Sequence, residues 1–579
     1  MFIENKAHLQ QDLFGIENHL SASKRKKLRS SADAYFYELI YCNINERDFA
    51  PLFSADSCSR PNAPVNALVS SIILCNKKGW TTKELFENID FDLRTRTALG
   101  LHNLEDTPFC PATFFNFQNR LFNHLLVTGE NLIEKIFDSL TAAQLKKLKL
   151  KTDIQRMDSF QAMSNIRSYS RTQLLVEVLI RIERILSKQD KKNLKEILAP
   201  YTGQTSSAFV YGLKRTDIPH ELQKIADIYY RLHHQLKPSY GDTEVFKIFE
   251  RVYDEHFCIV SDKIIVRDSK ELTSSSLQSP DDVDATFRTK RGNNYRGQVV
   301  NITETANPEN PLNLITDVAV EANNTDDSTI LNSRIDGIKT KCADLNELHT
   351  DGAYGSSDND KKMNEHHVNH IQTAVRGREA QVTMNLERID TDRYNVSCPQ
   401  QTVQSQKTRI RFKACFNLAV CSVCRHAGDC PAIEQKCCRV FYFTEEMVEM
   451  QKRVHAIELL PLERRKIRPN VEASVKEYTK AFNHKGKLRI RGKFKTMLFA
   501  FAMSIGINFG RIFRQLMENP RLFPDFCRLK RHIAGYLAQV TSVVDGFTGY
   551  VRLLHRKCQR TECNLSFANI RACFESRPF

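Results

Sequence analysis

Three acids of this chain have the types and settings to hold a catalytic metal. Asp158 stands in "QRMDSF", Asp351 in "HTDGAYG" and Glu472 in "RRKIRPNVEASVKEYTK" (residues 464–480). Two strand-end aspartates and a helix-borne glutamate make an all-oxygen donor set, which hard divalent cations prefer. A pair of Mg²⁺ or Mn²⁺ ions held this way can activate an oxygen nucleophile and stabilise the leaving oxygen of a phosphodiester. Each acid also has a plainer role open to it. Asp158 could cap a strand in solvent, and Asp351 precedes glycine in a common turn dipeptide. Glu472 has Arg468 at i−4 and Lys476 at i+4, the spacing of a surface ion-pair ladder.

A second set of residues is sulfur. Cys398 precedes a proline, Cys421 and Cys424 form a C-x2-C pair, and Cys430 follows, with Cys415, Cys437 and Cys438 nearby. Four thiolates at such spacing suit a structural Zn²⁺ in tetrahedral coordination. His426 is a possible substitute ligand, and unligated reduced thiols are the alternative.

The elements that must position these groups follow from periodicity. Leu148, Leu150, Thr152 and Ile154 alternate with Lys149, Lys151, Asp153 and Gln155, which predicts a half-buried strand over 148–158. Asp158 then falls at its end with the parity of the apolar face, where an uncompensated carboxylate is costly. Residues 170–257 read as helix. "YRGQVVNITET" and "LNLITDVAVEANNTDD" read as strands, 328–340 as a helix, and "LNELHTDGAYGSS" as a strand ending in a turn at Asp351. A further helical stretch is predicted from about 470 to 515.

Nearer the N-terminus, residues 1–60 look mostly helical. Ala67, Leu68, Ile72 and Ile73 then mark one helix face, Gly79 breaks it, and Thr81 or Thr82 could cap the next helix. Another helix follows in "DTPFCPATFFNFQNRLFNHLL", with Thr113 as its expected cap. Two helices about a glycine-containing turn are either a packing pair or a DNA-reading helix-turn-helix. Strands followed by mixed helices imply an α/β core carrying insertions.

Charge distribution points to the partner. The chain has 579 residues, 84 Lys and Arg against 68 Asp and Glu, for a net of +16. Residues 401–579 alone hold 33 bases against 14 acids, net +19, so the first 400 residues carry −3. A basic excess confined to the last third favours a polyanion, most simply nucleic acid. The length implies several domains. A hydrophobic content of 41% and a charged content of 26% are those of an ordinary globular protein. "MFIENKAHLQQDLFGIENHL" lacks the apolar core of a secretory signal. The apolar stretch near Met497–Phe509 is too short to span a bilayer. A cytoplasmic location, no membrane partner, and 17 cysteines held as thiols or metal ligands are therefore expected.

Five segments together carry a resemblance. They are "QRMDSFQAMSNIRSYSR" (155–171), "DDVDATFRTKRGNNYRGQVVNITET" (281–305), "LHTDGAYGSS" (348–357), the stretch 464–514, and the helical "PVNALVSSIILCNKKGWTTKELFENIDFDLRTRTALGL" with "TPFCPATFFNFQNRL". In order and spacing the chain resembles bacterial insertion-sequence transposases with an RNase-H-like core and an Asp-Asp-Glu triad, over most of residues 60–515. The resemblance implies a helical DNA-binding domain at 1–145. It implies an RNase-H-like mixed-sheet core at 146–397 with a helical insertion at 170–257, and a Cys-rich zinc-binding-type insertion at 398–440. The Glu-bearing part of the core would follow at 441–515, and a basic helical tail at 516–579.

Asp158, Asp351 and Glu472 would hold two Mg²⁺ or Mn²⁺ ions, and Cys398, Cys421, Cys424 and Cys430 a structural Zn²⁺. Lys290, Arg291, Arg465, Arg468, Lys476 and Lys480 would grip DNA, with Lys290 and Arg291 near the core. The implied reaction is cleavage at the ends of an insertion sequence, then attack of the freed 3′-hydroxyl on target DNA. The implied partners are terminal inverted repeats and target DNA, with a homodimer or larger assembly joining two ends in the nucleoid. The sequence departs from relatives at Arg465, where some carry Tyr, and at Thr479, where some carry Lys, with Lys480 beside it. A DNA-binding protein without catalysis, or a nuclease without strand transfer, are the competing expectations.

Overall fold

A computed structural model of the chain describes residues 1–6, 15–56, 58–373 and 382–519. One compact unit spans Met1–Arg511, and a second begins at Ile512. The basic tail expected at 516–579 lies, beyond residue 519, outside the described residues.

The chain is a mixed α/β protein built on a mixed sheet. Its strands are β1 (Ile154–Met163), β4 (Thr286–Lys290), β5 (Asn293–Thr305), β6 (Ile315–Ala322), β7 (Glu347–Thr350) and β8 (Asn369–Gln372), while β2 (Phe257–Val260) and β3 (Lys263–Val266) form a separate hairpin. The path runs β4-β5-β1-β7-β8, and β6 also pairs with β5. β1, β4 and β6 are each antiparallel to β5, whereas β7 is parallel to β1 and β8 to β7. β1 is thus a central strand, and its residues Ile154–Asp158 are buried without alternation, as both faces are covered.

That continuous burial corrects the strand expected at 148–158. The helix Leu132–Leu148 claims Leu148 and ends at Lys149 in the left-handed conformation, φ 51°. Leu148 and Leu150 are buried as a helix end and the loop after it, so their alternation with lysines was not a strand. Asp158 consequently sits in the middle of β1, not at its end. The strands at 295–305 and 315–322 and the helix Asp327–Lys341 fall where periodicity puts them.

Residues 170–257 form helices from Arg171–Ile185 to Glu244–His256 around their own apolar centre of Leu175, Val178, Leu179, Ile225 and Phe249. Tyr229 stacks on Phe249 there with ring centroids 4.5 Å apart.

The helix expected over 470–515 is two helices, Val471–Thr479 and Lys493–Glu518. The segment between them turns at Gly486 and Gly492, φ +69° and +88°, a region that favours glycine. It docks on the end of β1, where Leu488 N–H donates to the Met163 carbonyl at 2.8 Å. The helix Lys493–Glu518 is long and apolar enough to cross a membrane by length and composition, which the Met497–Phe509 stretch did not suggest. Its apolar window is 78% buried within the protein, so it serves as a core helix.

In the N-terminal part, helices Val65–Lys78 and Thr82–Phe91 meet at Gly79, φ +68°, and Thr81 with Glu84 forms a capping box. The first buries every residue from Val65 to Leu74. The exposed side of the second carries Lys83, Glu84, Glu87 and Asp90, a net negative face poorly suited to phosphates. The helix Pro111–Thr128 is preceded by Cys110 at its N-cap position, so Thr113 is not its cap.

The Cys-rich region is a second, antiparallel sheet. Its strands are β9 (Asn385–Arg388), β10 (Tyr394–Ser397), β11 (Thr402–Lys407), β12 (Phe412–Asn417), β13 (Ile433–Glu434) and β14 (Cys438–Phe443), in the order β13-β14-β12-β11-β10-β9. Tyr394, Phe412, Phe416 and Phe443 fill its core.

Candidate active site

The sheet brings the two aspartates side by side. β1 and β7 are parallel neighbours whose last paired residues are Arg156 and His349. Two residues farther along each strand stand Asp158 and Asp351, on the same face by strand parity. Asp351 follows the last residue of β7, and its Oδ1 accepts the Ala353 N–H at 2.9 Å. It is therefore fixed by the turn that its Asp-Gly dipeptide predicts.

Glu472 comes from the helix Val471–Thr479, which a buried polar network pins to the sheet. Glu304 of β5 is fully buried and accepts from Arg156 Nε at 2.7 Å, Ser474 Oγ at 2.6 Å and Arg511 Nη1 at 2.8 Å. Arg511 Nη2 also donates to Ser474 Oγ at 2.6 Å, and Arg156 Nη1 to the Ile467 carbonyl at 3.0 Å. Phe160 packs on Tyr478, centroids 5.1 Å apart, on the same seam. A carboxylate this deep is tolerable only because every one of its partners is charged or hydrogen-bonded.

All three acids converge on one guanidinium. Arg468 Nη2 lies 3.0 Å from Asp158 Oδ2 and 3.6 Å from Asp351 Oδ2, and Nη1 lies 3.3 Å from Glu472 Oε1. The Arg468 side chain is 16% exposed and Glu472 is 65% exposed, so the centre opens to solvent on the glutamate side. Burial pushes the Asp158 carboxyl up to about 6, and the charges of Asp351 and Asp327 push the same way. The Arg468 charge and the Ser159 N–H oppose them without prevailing.

Asp327 was not anticipated. It accepts from Ser159 Oγ at 2.6 Å, and within "NTDDST" it reads only as part of an acidic helix start. No local signal marks it, because its relation to Asp158 is made by the sheet.

This donor set fits a divalent cation: it is all carboxylate oxygen, and a positive group already lies among the three. As the side chains stand, no group of three or more His, Cys, Asp or Glu among the described residues is drawn tightly enough to hold a metal. At the carboxylates, the Arg468 guanidinium lies among all three.

The expected DNA-gripping residues divide. Lys476 and Lys480 are exposed on and just beyond the Glu472 helix, and no carboxylate pairs with either among the described residues. Thr479 turns its hydroxyl back to the Lys476 carbonyl at 3.0 Å. Arg465 is occupied, donating to the carbonyls of Leu460, Ile457 and Glu458 at 2.8–3.0 Å. Lys290 and Arg291 sit at the tip of the β4–β5 hairpin. Ile302, opposite Asp158, is nine residues along β5 from the hairpin's Asn293, about 30 Å at the usual strand rise. Lys290 and Arg291 thus lie on a hairpin of the main sheet, away from the carboxylates.

The thiols also divide. Cys398, Cys421, Cys424 and Cys430 line one cavity of about 20 Å³ together with His426 and Arg439, room for a single small ion or water. Burial raises the Cys421 thiol, and the neighbouring Cys398, Cys430 and Cys424 raise it further while Arg439 lowers it. These four residues fit a soft cation by donor type. Cys415, Cys437 and Cys438 are not on that cavity, and Cys415 instead contacts Cys438 across β12 and β14. All thirteen described cysteines are free thiols.

Compared with known proteins, the chain matches no family model, no curated protein and no solved structure. The arrangement itself is an acidic centre open to solvent on the Glu472 side, with Lys476 and Lys480 exposed and, among the described residues, without a carboxylate partner on and just beyond the adjoining helix.

Proposed function

We propose that the chain is an insertion-sequence transposase with an RNase-H-like core, cutting and rejoining DNA at a centre made by Asp158, Asp351 and Glu472. The observation that carries this reading is their convergence on a single cation from two neighbouring parallel strands and a helix. The strand path β6-β5-β1-β7-β8, antiparallel on one side of β1 and parallel on the other, supports the fold assignment.

Asp158, Asp351 and Glu472 would hold two Mg²⁺ or Mn²⁺ ions, which when bound supply Lewis acidity to the attacking and leaving oxygens. The chain's own part is to set geometry. β1 and β7 fix the aspartates at neighbouring-strand spacing, and the Glu304 network fixes the glutamate helix against them. Lys476 and Lys480 set positive charge beside the centre, where DNA phosphates need neutralising. In the reaction, water attacks a phosphodiester at an element end and a 3′-hydroxyl leaves. That hydroxyl then attacks a target phosphodiester and displaces a second 3′-oxygen, with no protein–DNA bond. Two ends must meet, so a dimer or larger assembly on DNA in the cytoplasm belongs to the proposal. A Zn²⁺ among Cys398, Cys421, Cys424 and Cys430 would be structural.

The guanidinium within the acidic centre also favours a second reading, a DNA-binding protein that no longer cuts. The test is incubation of the full chain with DNA containing the repeats that flank its gene, in Mg²⁺ or Mn²⁺. Cleavage with joined products is expected, and its loss in Asp158→Ala and Glu472→Ala. Cleavage without joining would make the chain a nuclease, and binding without cleavage would support the silent alternative. Equal cutting by the variants would refute the triad.

A further inference from the structure

We infer that Arg468 is an exchangeable stand-in for the metal: it occupies the carboxylate centre in the metal-free protein and withdraws when a divalent cation binds, which releases its guanidinium for a DNA phosphate. This rests on the metal-binding reading of Asp158, Asp351 and Glu472.

Three observations carry it. First, among the described residues Arg468 is the sole base ion-paired with any of the three acids. One positive charge faces three carboxylates, so the centre retains an excess of negative charge that a divalent ion would satisfy better. Second, the fit is loose. Only the contact to Asp158, at 3.0 Å, approaches the 2.7–2.9 Å of a strong charge-assisted bond. The contacts to Glu472 and Asp351, at 3.3 and 3.6 Å, are longer, and no carboxylate receives a parallel two-point grip. Third, the buried Nε of Arg468 has no hydrogen-bond partner, an unsatisfied donor of the kind that costs stability.

The way out is short. Arg468 opens the turn Arg468–Asn470 just before the Glu472 helix, and the exposed Glu472 lies on the solvent side of the centre. Lys466 and Lys476 are exposed in the same stretch, so a guanidinium swung outward would join a row of positive groups. The metal would thus do two things through this chain's own residues: draw the carboxylates together and add one cation to the DNA-facing surface.

The test is Mn²⁺ binding to the full chain without DNA, by calorimetry or by the spin-resonance signal of free Mn²⁺. Arg468→Ala is expected to bind at least tenfold more tightly than wild type, because the competitor is gone. Arg468→Gln, which keeps bulk without charge, is expected to shift the same way and serves if the alanine variant folds poorly. Melting gives an independent readout: without metal Arg468→Ala should melt below wild type, and with Mn²⁺ it should rise by more degrees than wild type does. With a nonspecific DNA duplex, wild type should gain about 0.9 in the slope of log affinity on log salt when Mn²⁺ is added, one phosphate contact, and Arg468→Ala should not. If both Arg468 variants bind Mn²⁺ no more tightly than wild type while Asp158→Ala abolishes binding, the exchange is wrong and the metal site stands. If neither wild type nor the Arg468 variants bind Mn²⁺, the metal-site reading falls and the exchange with it.

Discussion

The carboxylate centre and the thiol cavity are assembled in opposite ways. The acids lie far apart in the chain and meet only through strand pairing and helix docking, with Glu304 fully buried behind them. The thiols lie within one short stretch beside the second sheet, and Cys398, Cys421 and Cys430 pack against its aromatic centre of Tyr394, Phe412 and Phe443. A site made by long-range pairing is in place before any ligand arrives, and the fold bears the cost of its crowded charge. A locally made site can wait for its ligand, whose binding energy then adds to the stability of the segment. The first arrangement suits chemistry and the second suits a clamp.

This contrast can be broken at several points. The largest effect is expected for Asp158→Ala, Asp351→Ala or Glu472→Ala in the Mn²⁺-dependent cleavage assay, a loss of about 10³-fold or more, the order seen when a transition-state charge loses its stabilising partner. Next is Glu304→Ala, which leaves Arg156 and Arg511 buried without their shared acid. Denaturant unfolding should show a loss of about 3–5 kcal/mol.

Asp158→Asn should act in the opposite direction. The folded carboxyl titrates near 6 against about 4 in an unfolded chain. Between those values the native state holds the extra proton, so stability falls as pH rises through that window. The asparagine variant should therefore be more stable than wild type above pH 6, by up to about 3 kcal/mol, and the gain should vanish below pH 4. Melting curves across pH read this directly, and a gain that persists at pH 3.5 would contradict it.

Cys421→Ser and Cys424→Ser should abolish chain-bound zinc, measured by elemental analysis, and lower stability by roughly 1–3 kcal/mol, with Mn²⁺ binding at the carboxylates unchanged. Smallest is the double change Lys290→Ala with Arg291→Ala at the hairpin tip. Cleavage should stay within about twofold, as for surface changes remote from the site.

Much of this was legible in sequence. The Asp-Gly turn at Asp351, the strand over 295–305 and the helix starting near Glu472 stand where composition and periodicity put them. The start of β1 was not legible, because Leu148 and Leu150 alternate with lysines while belonging to a helix end and a loop. A window that short carries the strand period and the helix end equally well. The interruption at Gly486 and Gly492 is a tertiary event, set by docking on Met163. The pairing of the acids with one guanidinium was visible only as spacing for Glu472, since Asp158 and Asp351 reach Arg468 through the sheet. The same limit hid Asp327 and left unread how far along β5 Lys290 and Arg291 stand from the centre.

The adjoining strands β1 and β7 act as a rigid jaw. The ladder that ends at Arg156 and His349 sets the backbone spacing of Asp158 and Asp351, two residues farther on, and leaves mainly their side chains to adjust. Glu472 rides on a short helix fastened by side chains alone, so it forms the adjustable jaw of the same vice. Variation in which ion is gripped, and how firmly, should therefore be sought in Ser474, Arg511 and Glu304, at the hinge of that jaw, sooner than in the aspartates.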